Sequence, residues 1–326
     1  MDRRTFAACV AAFALAPEAF AQSSRYAAAA RYSAERRGVS LLVMHEGRIV
    51  FEDYANEGRA DRGWELASGT KSFTGVMAAA AVQDRMLAWD EPCAETLSEW
   101  RNDERRRITI RHLLSLTSGI GGGPIARPPV YADAIASPSV AAPGERFAYG
   151  PTPFQIFGEI MRRKLNGDPL AYLQRHIFDP LSIRPTHWRR GRDGNPHMPS
   201  GAGFTARDWA AFGQFVLEEG RGSLDRDALR ACFVPTHANP GYGLSFWLLR
   251  PGLVPPAPGA GVVVDNEGFR RLGDVRMAAG AGNQRLYILP ERNMVVVRQA
   301  SGILQALMGR DRTRYADAEF LRLLLT

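Results

Sequence analysis

The chain has 326 residues, of which 45% are apolar and 23% charged, with a formal net charge of +7. This is ordinary for a soluble globular protein and is enough for one large domain or two modest ones. The surplus positive charge lies in short, scattered clusters, Arg36-Arg37, Arg105-Arg106-Arg107 and Arg189-Arg190. With no interleaved aromatics they read as solvated surface, which speaks against a nucleic-acid partner and leaves only weak attraction to an anionic cell envelope.

In chain order, the first residues read as an export signal. Arg3-Arg4-Thr5-Phe6 is a basic start, Ala7 to Leu15 a short apolar core, and Ala19-Phe20-Ala21 a peptidase site. A signal peptide over 1–21 is therefore expected, with Gln22 as the mature start and a periplasmic or secreted destination. The paired arginines resemble a twin-arginine signal, and an ordinary Sec signal would lead to the same place. The apolar run is too short for a typical membrane span.

Residues 22–38 read as a helix. Val39 to His45 and Arg48 to Tyr54 flank Glu46-Gly47, a hairpin signal. Next comes Glu65-Leu66-Ala67-Ser68-Gly69-Thr70-Lys71, followed by an alanine-rich run to Leu87 that reads as a buried helix. Ser68 is expected at the helix start, where small hydroxyl residues are favoured, with Lys71 three residues on along the same face. A serine hydroxyl is a weak nucleophile until a base takes its proton. A buried lysine can be that base, whereas an arginine cannot. Lys71 and Lys164 are the chain's only lysines among 41 basic residues, so a lysine at this spot suggests a need for a titratable amine.

Thr109 is expected to cap a short helix running to Gly119. Ile120 to Gly144, rich in Gly, Pro, Ala and Ser, reads as a long loop forming one wall of an active-site mouth. Helices follow near Phe154–Lys164, Pro169–Ile177, Thr205–Glu219 and Leu224–Cys232. Short strands are expected at Tyr242–Leu249, Gly261–Asp265, Gly273–Ala279, Arg285–Pro290 and Met294–Gln299, and a closing helix at Ala316–Leu325. The expected fold is α/β (α+β): an antiparallel sheet flanked by helices, built from both termini over 22–95 and 236–326, with a mostly helical domain inserted over 96–235. Cys93 and Cys232 could pair, but two buried free thiols fit as well. No Cys/His spacing makes a metal site, and no His-Glu-x-x-His or Gly-x-Ser-x-Gly is present.

Three stretches together resemble the serine β-lactamase and penicillin-binding superfamily, in its class C-like branch with the family VIII carboxylesterases and 6-aminohexanoate-dimer hydrolases. They are Ala67-Ser68-Gly69-Thr70-Lys71-Ser72-Phe73, then Ile108 to Leu114 with Thr117-Ser118-Gly119, then Tyr149-Gly150-Pro151 with Phe157-Gly158. The resemblance implies that Ser68 is acylated, that Lys71 and Tyr149 manage its proton, and that no cofactor or metal is needed. It also implies that Ala278-Ala279-Gly280 stands where the family has a Lys/His-Thr-Gly strand, with the Ser68 and Ala281 N–H groups forming the oxyanion hole. Pro151 occupies a position that often carries an amide-binding side chain, and no basic residue stands at Ala278 to bind a carboxylate. The departures favour esters or small amides as substrates over β-lactams, unless Arg276 or Arg285 substitutes as the anion anchor. Two alternatives are a D-alanyl peptidase or weak β-lactamase, and an inactive relative that binds peptidoglycan or a protein.

Overall fold

The computed structural model describes residues 24–256 and 261–326. The expected signal peptide and its cleavage point before Gln22 lie outside the described residues. Helical residues 24–35 (α1) lead into β1 (Gly38–His45) and β2 (Arg48–Tyr54). Glu46 and Gly47 both take positive φ, 50° and 75°, which gives the tight turn that matches strand twist. Chain order continues with β3 (Trp64–Glu65), α2 (Lys71–Gln83), α3 (Ile110–Leu114), α4 (Tyr131–Ala136), α5 (Thr152–Leu165), α6 (Pro169–Leu173), α7 (Asp179–Leu181), β4 (His187–Trp188) and β5 (Ala202–Phe204). Then come α8 (Ala206–Leu217), α9 (Arg226–Ala231), β6 (Trp247–Leu248), α10 (Asn266–Leu272), β7 (Arg276–Gly280), β8 (Gln284–Leu289), β9 (Met294–Ala300), α11 (Ile303–Leu307) and α12 (Asp317–Leu325).

The main sheet has six strands in the order β2-β1-β9-β8-β7-β6, all pairs antiparallel. β9 lies between β1 and β8, so strands from distant parts of the chain meet at the centre. Both faces are covered, which is why Val295-Val296-Val297 runs apolar without alternation. On one face α8 packs closely. A Cβ at Gly213 would come within 2.7 Å of Leu286 and Val295, so the helix needs glycine there to reach the sheet. On the other face Tyr287 stacks on Phe320 of α12, and Phe320 meets Tyr32 of α1. α2 is apolar all round and buried, with Phe73 ringed by Phe178, Phe204 and Phe212 at 5.5, 4.9 and 4.2 Å between centroids. Among the described residues, no helix is long and apolar enough to cross a membrane.

Several expectations change. Ser68 does not cap α2. It lies inside a 3₁₀ turn, Ala67–Thr70, that precedes the helix, and no side-chain cap bond forms. Thr109 does cap α3, by accepting from the His112 N–H, but the helix stops at Leu114 because Leu116 turns left-handed at φ 60°. The 120–144 stretch is not all loop, since it contains α4. The Pro169–Ile177 helix yields after Leu173 to a π turn over Gln174–Phe178. Tyr242–Leu249 pairs only through Trp247–Leu248 as a strand, because Ser245 at φ 72° folds the run back on itself. Residues 261–265 form no strand, and Asp265 instead caps α10, an unforeseen helix. Cys93 and Cys232 are both free and buried.

Candidate active site

Every residue from Leu66 to Ala81 is buried except Ser68. Ala67, just before it, takes φ 45°, a left-handed conformation costly for a residue with a Cβ. That bend turns the chain from β3 into the 3₁₀ turn and leaves the serine accessible. Side chains from the same stretch lock the turn. Thr70 Oγ1 donates to the Ala67 carbonyl at 2.7 Å, and Ser72 Oγ to the Gly69 carbonyl at 2.8 Å. The 198–202 segment clamps the turn from outside: the Ala202 N–H donates to Thr70 Oγ1 at 3.1 Å, and Thr74 Oγ1 donates to the Met198 carbonyl at 3.0 Å.

Lys71 is 3% exposed, with Nζ 3.0 Å from Ser68 Oγ and 3.2 Å from the Pro199 carbonyl. The rings of Tyr149 and Phe154 lie 4.9 and 5.3 Å from the amine. Among the described residues no carboxylate forms an ion pair with it. Burial therefore brings its pKa down to about 7, so much of the amine is neutral at neutral pH. One N–H held by the Pro199 carbonyl leaves the neutral amine's lone pair free to face the serine.

Tyr149 enters the site because two glycine backbones cross. A Cβ at Gly150 would sit 2.0 Å from the Gly122 carbonyl, and one at Gly122 would sit 2.3 Å from the Tyr149 carbonyl. Trp247 packs on the tyrosine ring at 5.4 Å. Burial pushes the phenol up to about 12, against a hydrogen-bonding interaction with Ser68 that pulls it down. The phenol is thus a proton donor at neutral pH, not a base. Pro151 precedes α5 at its N-cap and offers no N–H.

Ala278, Ala279 and Gly280 lie in β7, with both alanines buried in the sheet. Gly280 abuts the serine turn, where an added Cβ would come within 2.0 Å of the Leu66 carbonyl. Strand pairing ends at Gly280↔Gln284, and Ala281 beyond it lines a cleft of about 90 Å³ together with Ser68. The structure thus brings Ser68, Lys71, Tyr149 and Ala281 together. It does not bring in either proposed anion anchor. Arg285 is fully buried on Asp317, and Arg276 pairs with Asp274 while stacking on Phe233.

Other residues complete the cleft, and those outside the 120–144 stretch had no sequence signal. Ile125, Ala126 and Pro128 form one apolar wall, from the loop expected there, and Ile303 and Leu307 of α11 form another. Arg189, His197 and Ser200 complete the lining, and Arg189 pairs with Glu65 at 2.6 Å. Larger hollows exist among the described residues, such as one of about 520 Å³ between α10 and α12, but neither Ser68 nor Lys71 lines them. Among the described residues, no three His, Cys, Asp or Glu side chains are grouped to hold a metal.

The family model described as Beta-lactamase matches residues 18–319. An uncharacterized protein of Alkalihalophilus pseudofirmus is 27% identical over 162 residues, 46% of this chain and 44% of that protein. The match thus spans less than half the length of this curated relative. Among solved structures, EstCE1, a hydrolase with promiscuous acyltransferase activity, superposes with a TM-score of 0.68 at 16% identity, covering 94% of this chain and 100% of that one. A D-stereospecific amidohydrolase from Streptomyces sp. gives a TM-score of 0.64 at 15% identity, covering 88% and 98%.

Proposed function

Because the chain belongs to the Beta-lactamase family, we propose that it is a serine hydrolase that cleaves esters or small amides through an acyl-enzyme on Ser68. The observation that carries this reading is the 3.0 Å approach of a buried, carboxylate-free Lys71 amine to the one accessible residue of its segment. The likeness in fold to a hydrolase with acyltransferase activity and to an amidohydrolase supports acyl chemistry.

Neutral Lys71 takes the Ser68 proton as Oγ attacks the carbonyl carbon. The carbonyl oxygen gains the negative charge and is received by the N–H groups of Ser68 and Ala281. As the tetrahedral species collapses, the Tyr149 phenol gives its proton to the leaving group and is reprotonated from the Lys71 ammonium. Water then gives a proton to Lys71 as it attacks the acyl-enzyme, and the Lys71 ammonium returns that proton to Ser68 Oγ as the acid is released. Besides Lys71, the cleft lining among the described residues holds one cationic side chain of fixed charge, Arg189, and it is paired with Glu65. Substrates without an obligatory carboxylate fit this cleft best. The Arg3-Arg4 start and the 19–21 site support export, which puts the reaction outside the cytoplasm.

Steady-state hydrolysis of a short-chain aryl ester tests the reading. Ser68→Ala should lose at least about a thousandfold in kcat/KM with its melting temperature little changed. Wild-type turnover by the folded variant would end this account.

A further inference from the structure

The hairpin turn that carries Ala281 is held from behind by two arginines with no exposed surface, Arg285 on β8 and Arg298 on β9. Arg285 binds Asp317 through Nε at 2.6 Å, and its Nη1 donates to the Gly280 and Gln284 carbonyls at 3.2 and 3.0 Å. Arg298 donates to the Asn283 carbonyl at 2.7 Å, to Ser33 Oγ at 2.9 Å and to the Arg36 carbonyl at 2.6 Å. A guanidinium therefore sits on the first carbonyl of the Gly280–Asn283 turn and another on its last. The hydroxyls of Tyr287 and Tyr315 lie 2.7 Å apart, and Tyr287 donates to the Asp317 carboxylate, also at 2.7 Å. Among the described residues, Asp317 is the one carboxylate that bonds either guanidinium.

Burying charge is costly, and apolar side chains would hold a sheet as well or better. What the guanidiniums add is fixed positive charge and fixed donors behind the turn. A trans peptide points its C=O and N–H in opposite directions. With the Gly280 carbonyl drawn into the cluster, the Ala281 N–H points away from it, beyond the last paired residue of the ladder. A charge-assisted bond on the carbonyl polarises the peptide and strengthens the opposite N–H as a donor. The close contact of Gly280 with the Leu66 carbonyl pins the same peptide from the other side.

We propose that Arg285, supported by Asp317 and Arg298, is a positioning residue that aims and polarises the Ala281 N–H toward the oxygen that becomes negative during acyl transfer. This rests on the serine-hydrolase reading above. The positive charge of Arg285 also reaches Tyr149, whose phenol it holds below where burial alone would put it.

The test compares wild type with the double variant Arg285→Gln/Asp317→Asn, which removes both charges together and strands neither. The readouts are ester kinetics, the rate of Ser68 labelling by a fluorophosphonate, and affinity for an alkyl boronic acid that forms a tetrahedral adduct. A drop of about tenfold to a hundredfold in kcat and in boronate affinity, with KM changed less than about threefold, is expected. A purely structural role would lower melting temperature without that split. If the double variant does not fold, Arg285→Lys carries the test. Its ammonium keeps the charge beside Asp317 but cannot fork to the carbonyls, and the same kcat loss is expected. Wild-type labelling at Ser68 with equal kcat and boronate affinity in the folded variant overturns this inference alone. Absence of Ser68 labelling in the wild type overturns the serine reading, and this inference with it.

Discussion

Lys71 shows how a single side chain trades stability for chemistry. Burial lowers its pKa from 10.5 to about 7. Between those values the unfolded chain binds a proton that the native protein does not, so this group makes stability rise with pH across that window. Below about 7 both states are protonated and the full penalty applies, on the order of 5 kcal/mol from the two values. Replacing the lysine with an apolar chain of similar length should relieve part of it. Lys71→Met is expected to raise stability by about 1–3 kcal/mol at pH 6–7 in denaturant titration while abolishing ester turnover. A destabilised Lys71→Met protein would contradict the buried-amine account. The same value sets the activity profile, because only the neutral amine accepts the serine proton. kcat/KM should rise through pH 7 and then level off, and Tyr149 at about 12 should not limit it before the strongly alkaline range. A profile flat from pH 5 to 9 would show that the base is another group.

At the scale of elements, the site depends on β7 meeting the serine turn without a side chain between them. Gly280→Ala places a methyl 2.0 Å from the Leu66 carbonyl, a backbone atom that cannot swing aside. The strand must retreat by about an ångström, which should cost roughly a hundredfold in kcat/KM along with a lowered melting temperature. A near-normal Gly280→Ala enzyme would show that the Ala281 N–H is not part of the machinery. Elements with a local code were legible in the sequence. The Glu46-Gly47 turn, the Thr205 cap of α8 and the alanine run of α2 each state their structure within a few residues. Ser68 and Lys71 were legible for the same reason, being one turn apart. Elements set by distant contacts were not. β3, β4 and β5 have two or three residues each and exist only through pairing with one another, β3 with β5 from a distant part of the chain and β4 with β5 across the 189–201 connection. α10 was hidden because Glu267, Arg270 and Arg271 face outward and leave a weak apolar stripe. Arg285 reads as a possible anion anchor until the fold places Asp317 beside it, and the cleft walls at Ile303, Leu307 and Arg189 carry no local pattern.

For the molecule as a whole, the cleft decides what is bound. Among the described residues, Lys71 apart, it offers no arginine or histidine ready to bind a carboxylate: Arg189 is held by Glu65, burial keeps His197 below its ordinary pKa, and Arg276 and Arg285 are engaged elsewhere. A short-chain aryl ester should therefore be hydrolysed at least about a hundredfold more efficiently than a cephalosporin, or about 2.7 kcal/mol of transition-state stabilisation. Comparable efficiencies would point to an anion anchor, and loss of only the cephalosporin activity in Arg189→Ala would identify it. The claim beneath all of this is that Ser68 carries the acyl group. Intact-protein mass spectrometry during turnover of a slow acyl donor, with peptide mapping, tests it most directly. The account predicts one added acyl group, located on the peptide containing Ser68 and absent from Ser68→Ala. An adduct on any other residue, or turnover with no adduct and an active Ser68→Ala variant, would contradict it.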